Sequence, residues 1–264
     1  MTSTPRIISL LTDFGTQDGF VGIMKGVVLG INPSVSIVDL SHDVPPQDIL
    51  MGALILRSAI GFFSPGTIHV AVVDPGVGST RRALIVETAA AFLVGPDNGL
   101  LSLAAPPESV RRVVHLTNSR YFPPHVSRTF HGRDIFAPVA AHLSRGVPSD
   151  DFGPVVTAME RLTLPIVAHA PHRITGSVIA IDRFGNIVTN ITAADVLPYP
   201  TESLSVSIGP VQIHGLTSTY AAVPVGAATA LLNSWGMLEI AVRNGSAAQQ
   251  LGVQRGAAVL ITDQ

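Results

Sequence analysis

A chain of 264 residues with a formal net charge of -2 and its 16 Lys and Arg scattered carries no electrostatic footprint for DNA, RNA or an anionic membrane, which favours a small-molecule partner. The absence of cysteine excludes disulfides, zinc-thiolate sites, iron–sulfur clusters and a thiol nucleophile. Charged residues make up 13%, about half the roughly 25% usual in globular proteins, and apolar residues 47%, so apolar surface must be buried somewhere, and between subunits is one place.

No basic segment followed by a signal-peptide core opens the sequence, the run Ile7 to Leu11 being too short, and no stretch approaches the ~20 apolar residues of a membrane span. A cytoplasmic protein is therefore expected. Arg6 to Leu11, Val35 to Leu40 and Ile68 to Val73 are apolar runs of strand length, each ending at an aspartate-bearing turn. Between them, Asp18 to Ile31 and Asp48 to Ile60 carry apolar residues at helical spacing. The order strand, helix, strand, helix, strand predicts a mainly parallel α/β sheet covered on both faces, with ligands at the carboxyl ends of its strands. Further strands are expected at Ala83 to Glu87 and Phe92 to Gly95, a helix after Gly99 running to Ala104, and another over Gly132 to Arg145. From about Pro165 short alternating strands separated by Gly, Pro and Asn predict a small β domain, including Gly176 to Ile181, Ser203 to Ile208 and Leu238 to Val242. The boundary is placed in Ala168 to His172, giving domains 1–167 and 173–264.

Several polar residues sit where chemistry is possible, each with a structural reading beside it. Asp74 follows a buried strand and precedes Pro75, Gly76 and Gly78, which reads as a ligand loop or as an ordinary Asp-Pro turn. Arg81 lies seven residues on, and His131 stands at a predicted helix start. Asp13 could accept both hydroxyls of a ribose or close an Asx-turn. In Asp182-Arg183-Phe184-Gly185-Asn186 an aromatic between Asp and Asn could stack a purine, or the segment could be a hairpin turn. Asn233-Ser234-Trp235-Gly236 and Asn244-Gly245-Ser246 could hold an amino-acid head group or end strands. No Walker lysine loop, G-x-G-x-x-G fingerprint, H-E-x-x-H or G-x-S-x-G elbow is present.

Taken together the chain resembles the S-adenosyl-L-methionine hydroxide adenosyltransferases, water-using relatives of the fluorinating and chlorinating enzymes. The likeness rests on Thr12-Asp13-Phe14-Gly15-Thr16, Val73-Asp74-Pro75-Gly76-Val77-Gly78 with Arg81, Gly95-Pro96-Asp97-Asn98-Gly99-Leu100, Thr129-Phe130-His131-Gly132-Arg133-Asp134, and Phe184-Gly185-Asn186 with Thr189-Asn190. The resemblance implies hydrolysis of S-adenosyl-L-methionine to adenosine and methionine without metal or cofactor. It assigns a catalytic triad to Asp74, Arg81 and His131, ribose binding to Asp13, and substrate-pocket positions to Asp182, Phe184, Asn186 and Ser234, with Asp18 and Tyr220 also placed there. Gln47 matches a position where halogenating relatives carry tryptophan. The resemblance further implies a carboxyl-terminal β-barrel and a homotrimer with active sites between subunits.

The sulfonium leaves as a neutral thioether and needs no proton donor, so the demand falls on the water, which Asp74 and His131 are expected to orient and deprotonate while Arg81 stabilises hydroxide character. Competing readings are a non-catalytic adenosine or S-adenosyl-L-methionine sensor, a halogenase, and a divalent-metal hydrolase built on Asp13, Asp18, Asp43 and Asp74. The intact triad favours the hydrolase.

Overall fold

The computed structural model describes residues 7–263, so Arg6, the first residue of the first predicted strand, lies outside the described residues. The chain divides after Leu162 into two compact units. In unit 1, β1 (Ile7–Thr12), α1 (Phe20–Ile31), β2 (Ser36–Ser41), α2 (Ile49–Ile60) and β3 (Thr67–Val72) follow in the alternation that the apolar periodicity predicts. β1 pairs in parallel with β2 on one side and with β3 on the other. α2 starts where Asp48 accepts a hydrogen bond from the backbone N–H of Met51 at 3.0 Å, satisfying one of the helix's free donors.

β4 (Ala83–Thr88) and β5 (Ala91–Pro96) leave two residues between them. A parallel pair needs a crossover of a dozen residues or more, so these strands form an antiparallel hairpin. β5 joins β3 in parallel, and β6 (Val110–His115) and β7 (Val155–Val156) extend the sheet beyond β4 in antiparallel pairing. The resulting order β2-β1-β3-β5-β4-β6-β7 is parallel in one half and antiparallel in the other, which corrects the expectation of a mainly parallel sheet.

Side chains alternate between the faces of each strand, so Ile8, Leu10, Ile68 and Val70 meet Met24 and Val28 of α1 on one face. Leu11 and Ala71 meet Ala53 and Leu56 of α2 on the other. β3, covered on both sides, is buried throughout. The predicted helix ending at Ala104 is a series of turns: Ser102 Oγ donates to the Gly99 carbonyl at 2.6 Å and accepts from the Leu162 N–H at 3.1 Å, fixing the segment in an irregular path. The predicted helix from Gly132 begins as a wide π-helical turn, Gly132–Phe136, and becomes α-helical only in α3 (Ala137–Ser144). Pro138 has no N–H to give the carbonyl four residues back, which favours such a register change.

Unit 2 contains β8 (Ala168–Ala170), β9 (Arg173–Ile181), β10 (Ile187–Thr192), α4 (Ala193–Val196), β11 (Leu204–Ile208), β12 (Val211–His214), β13 (Ala228–Leu232), β14 (Met237–Val242), α5 (Ala247–Leu251) and β15 (Ala258–Asp263). The residues from Ala168, where sequence places the domain boundary, form β8 and pair with β9. The antiparallel path β12-β11-β15-β9-β10-β14-β13 curls until its end strands touch, giving a nearly closed barrel. Its core is aliphatic, with Ile174, Val206, Leu238, Ile240 and Val259 buried. No helix among the described residues is long and apolar enough to cross a membrane.

Candidate active site

Strand order changes direction about β1 and β3, and ligands of open α/β sheets bind at the carboxyl ends of strands at such a switch. Asp13 directly follows β1, and Asp74 lies two residues after β3. Asn98 pins the second of these ends, its Nδ2 donating to the Val73 carbonyl at 2.9 Å. The loop beyond Asp74 then folds tightly back. Gly78 has φ +77°, and a Cβ there would stand 2.3 Å from the Arg128 carbonyl oxygen, so only glycine lets this loop lie against the segment leading to His131.

That contact unites three residues from distant parts of unit 1. The Arg81 guanidinium forms a two-pronged pair with Asp74, Nε donating to Oδ1 at 2.8 Å and Nη2 to Oδ2. Nη2 also donates to Nδ1 of His131 at 2.6 Å. The Arg81 and Asp74 side chains are only 10% and 5% exposed, and Arg81 lies over the Phe136 ring with its Cζ 5.5 Å from the centroid. Because a guanidinium only donates, Nδ1 of His131 is the acceptor and the neutral ring carries its proton on Nε2. Burial, reinforced by the Arg81 charge, holds the imidazole pKa below its ordinary value despite the opposing influence of Asp74, Asp134 and a hydrogen bond to the Ser127 backbone.

Asp134 clamps the loop that delivers His131, accepting the Ser127 N–H at 2.7 Å and the Arg133 side chain at 2.6 and 2.9 Å. Burial alone would raise its pKa, but these hydrogen bonds outweigh it and hold the carboxyl below the usual range. Gly132 lets the π-helical turn seat against Met24, Phe130 and Phe14, where a Cβ would meet atoms at 3.0 to 3.3 Å. Asp13 accepts the Gln47 N–H at 2.8 Å, and Gln47 itself sits in the left-handed region at φ +65°. Asp18 is exposed in the loop before α1. No group of three or more His, Cys, Asp or Glu side chains comes together as a metal ligand set among the described residues, so Asp13, Asp18, Asp43 and Asp74 are not gathered.

In unit 2, Asp182, Phe184, Asn186, Tyr220 and Ser234 all line one cavity of about 830 Å³. The Asp182 segment is a hairpin turn: the Asp182 carboxylate accepts the backbone N–H groups of Phe184 and Asn186 at 2.9 and 2.8 Å and the Asn186 side-chain amide at 2.9 Å. Gly185, at φ +82°, packs so closely on Ser246 that a Cβ would lie 2.0 Å from its hydroxyl. The rigid tip thereby presents Phe184 75% exposed, an aromatic face available for stacking. Two further charged residues of this cavity, Glu239 and Arg243, went unnoticed in the sequence. The available signal was Glu239 itself, the one charged residue in the strand Met-Leu-Glu-Ile-Ala-Val.

A family described as the SAM hydroxide adenosyltransferase N-terminal domain matches residues 8–153, and its C-terminal domain counterpart matches residues 176–260. A protein of Salinispora tropica named (R)-S-adenosyl-L-methionine hydrolase is 41% identical, with 99% of each chain covered. A fluorinase of Nocardia brasiliensis is 28% identical over 97% of this chain and 96% of its own. A crystal structure of an uncharacterized conserved protein from Thermotoga maritima superposes with a TM-score of 0.90 at 35% identity, covering 97% of this chain and 99% of that one. The chain belongs to the SAM hydroxide adenosyltransferase family.

Proposed function

We propose that this chain is a cytoplasmic enzyme that hydrolyses S-adenosyl-L-methionine to adenosine and L-methionine, and that it prefers the (R)-sulfonium epimer named for its relatives. The observation that carries the reading is the hydrogen-bonded set Asp74, Arg81 and His131 at the carboxyl end of β3. Water oxygen bonds to ribose C5′, the C5′–S bond breaks with its electron pair going to sulfur, and one proton is released. Arg81 engages both Asp74 oxygens, yet each keeps a lone pair that can accept a hydrogen from the attacking water. His131, whose Nδ1 accepts from Arg81 and whose ring also hydrogen-bonds the Ser127 backbone, holds the guanidinium in place beside the water, and Asp74 takes the proton. Orientation of this kind supplies on the order of 7–11 kcal/mol in favourable cases and a general base a further ~10²–10⁴-fold. The Asp74 carboxylate also disfavours a halide at the water position. Asp13 and Asp18 serve the nucleoside and its head group, and unit 2 is a substrate-binding domain in which Phe184 stacks the base while Asp182, Asn186, Tyr220 and Ser234 address its polar edges and the amino-acid portion.

The working form in this proposal is a homotrimer, with the triad of one copy facing the unit 2 cavity of a neighbour. Supporting it, α1 exposes Phe20, Ile23 and Leu29 beside Gly22, Gly26 and Gly30, and among the described residues no atom lies within 4 Å of where a Cβ at these glycines would stand, their own helix's backbone aside. Purified protein incubated separately with each sulfonium epimer should release adenosine and methionine, faster from the (R) form. A chain lacking the triad mixed with one altered at Phe184 and Asn186 should regain activity in hybrid trimers. Absence of adenosine from either epimer defeats the hydrolase reading, and a fully active monomer defeats the shared site.

A further inference from the structure

Glu239 sits in the middle of β14 with 3% of its surface exposed, yet it borders the unit 2 cavity. Its carboxylate accepts the Tyr220 hydroxyl at 2.8 Å and the Asn233 side-chain amide at 3.0 Å. Both donors are neutral, and Glu239 takes part in no ion pair among the described residues. The other charged groups bordering the cavity are Asp182 and Arg243. Asp182 is committed to its turn, whereas Arg243 Nη1 donates to the backbone carbonyls of Ala221 and Val223 at 3.3 and 2.8 Å. Two carboxylates therefore face one guanidinium that is already engaged.

Removing a carboxylate from water is costly unless an opposite charge compensates it. A glutamine at 239 would spare the desolvation of an ion but could accept from only one of Tyr220 and Asn233, turning its NH2 on the other; the carboxylate accepts both and leaves a buried charge that no cation pairs at the cavity's border. The Tyr220 hydroxyl registers the local field independently: burial, the hydrogen bond to Glu239 and the charges of Glu239 and Asp182 push its pKa up to about 12.

We propose that Glu239 is a specificity-determining residue whose buried charge makes the unit 2 cavity prefer a positively charged adenosyl ligand to a neutral nucleoside. The inference rests on the hydrolase reading for its biological sense. The substrate enters with a sulfonium and an ammonium, and the adenosine that leaves carries neither, so the field holds the substrate and releases the nucleoside product.

The test uses calorimetric binding of sinefungin, a stable analogue with an ammonium-bearing carbon in place of the sulfonium, and of adenosine, to wild type, Glu239→Gln, Glu239→Asp and Tyr220→Phe. Glu239→Gln should weaken sinefungin about tenfold, the order expected for one screened charge pair, and change adenosine less than twofold. Glu239→Asp should retain the preference, and Tyr220→Phe should weaken both ligands to a similar degree. If Glu239→Gln does not fold, Glu239→Ser combined with Tyr220→Phe removes the charge together with one of its two donors and is read against Tyr220→Phe alone. Equal loss of both ligands on removing the charge, or undiminished preference for sinefungin, overturns the proposal. These affinities are measured without turnover, so a wild type that binds but does not hydrolyse S-adenosyl-L-methionine would defeat the functional reading and leave this one standing.

Discussion

Arg81 and His131 are joined by a 2.6 Å contact from Nη2 to Nδ1, and the same guanidinium grips Asp74, so the arginine is the middle member of the three. Its removal should therefore disorganise both partners. Arg81→Ala is expected to lower kcat at least about a hundredfold, comparably to Asp74→Ala, while the affinity for adenosine stays within a fewfold of wild type. Steady-state kinetics with adenosine as competitive inhibitor measure both quantities. Full turnover in Arg81→Ala would remove it from the mechanism.

The pH dependence follows from the depressed His131 pKa. A histidine whose folded value lies below 6.5 stays neutral through neutral pH and becomes charged only as pH falls below that value. Protonation fills Nδ1 and abolishes its acceptance from Arg81. The acid limb of kcat/KM should therefore lie below pH 6.5, and Arg81→Gln, which deletes the second-largest cause of the shift, should move the His131 titration upward when followed by NMR of the imidazole.

Gly78→Ala should damage both stability and activity. The substitution places a Cβ 2.3 Å from the Arg128 carbonyl at a φ of +77°, costing on the order of 2 kcal/mol or more through strain and displacement. Because Arg128 lies three residues before His131, kcat should fall along with the midpoint of thermal unfolding. A variant with unchanged Tm and turnover would show that the close approach is dispensable.

A separate histidine governs acid stability. His69, fully buried in β3 with Nδ1 2.6 Å from the Ser9 hydroxyl, has a pKa lowered to about 4 by burial. Between pH 6.5 and that value the unfolded chain binds the proton and the folded chain does not, so stability falls as pH drops through this window and is unaffected by His69 above it. The full loss is on the order of 3 kcal/mol. Urea unfolding at pH 7 and pH 5 should show a decline that is smaller in His69→Leu. An equal decline in both proteins would assign the acid sensitivity to other groups.

Much of this architecture was legible because the relevant forces are local. The helices of unit 1 announce themselves by apolar spacing, and Asp48 caps α2 where sequence places its start. The β4–β5 hairpin was missed, although the short gap between the predicted strands, Glu87 to Phe92, leaves no room for a parallel crossover, and the antiparallel pairing of β6 and β7 had no signal of its own. What sequence pattern could not reveal depends on distant chain segments: the turns after Gly99 are set by Leu162, and the π-helical turn beside His131 by packing against Met24, Phe14 and Phe130. The triad residues were nameable only through the family resemblance, as separations of 7 and 50 residues carry no geometry by themselves. Glu239 escaped because an alternating apolar strand hides which face of a nearly closed barrel each residue takes.

The central claim is that water, oriented by Asp74, Arg81 and His131, attacks C5′. Purified protein given S-adenosyl-L-methionine in ¹⁸O-labelled water with EDTA tests it most directly, the products being resolved by mass spectrometry. The account predicts adenosine carrying one ¹⁸O at the 5′ hydroxyl, unlabelled methionine, and no dependence on chelator. Label in the amino-acid product, 5′-halo-5′-deoxyadenosine as the main product in the presence of halide, or no cleavage at all would contradict it.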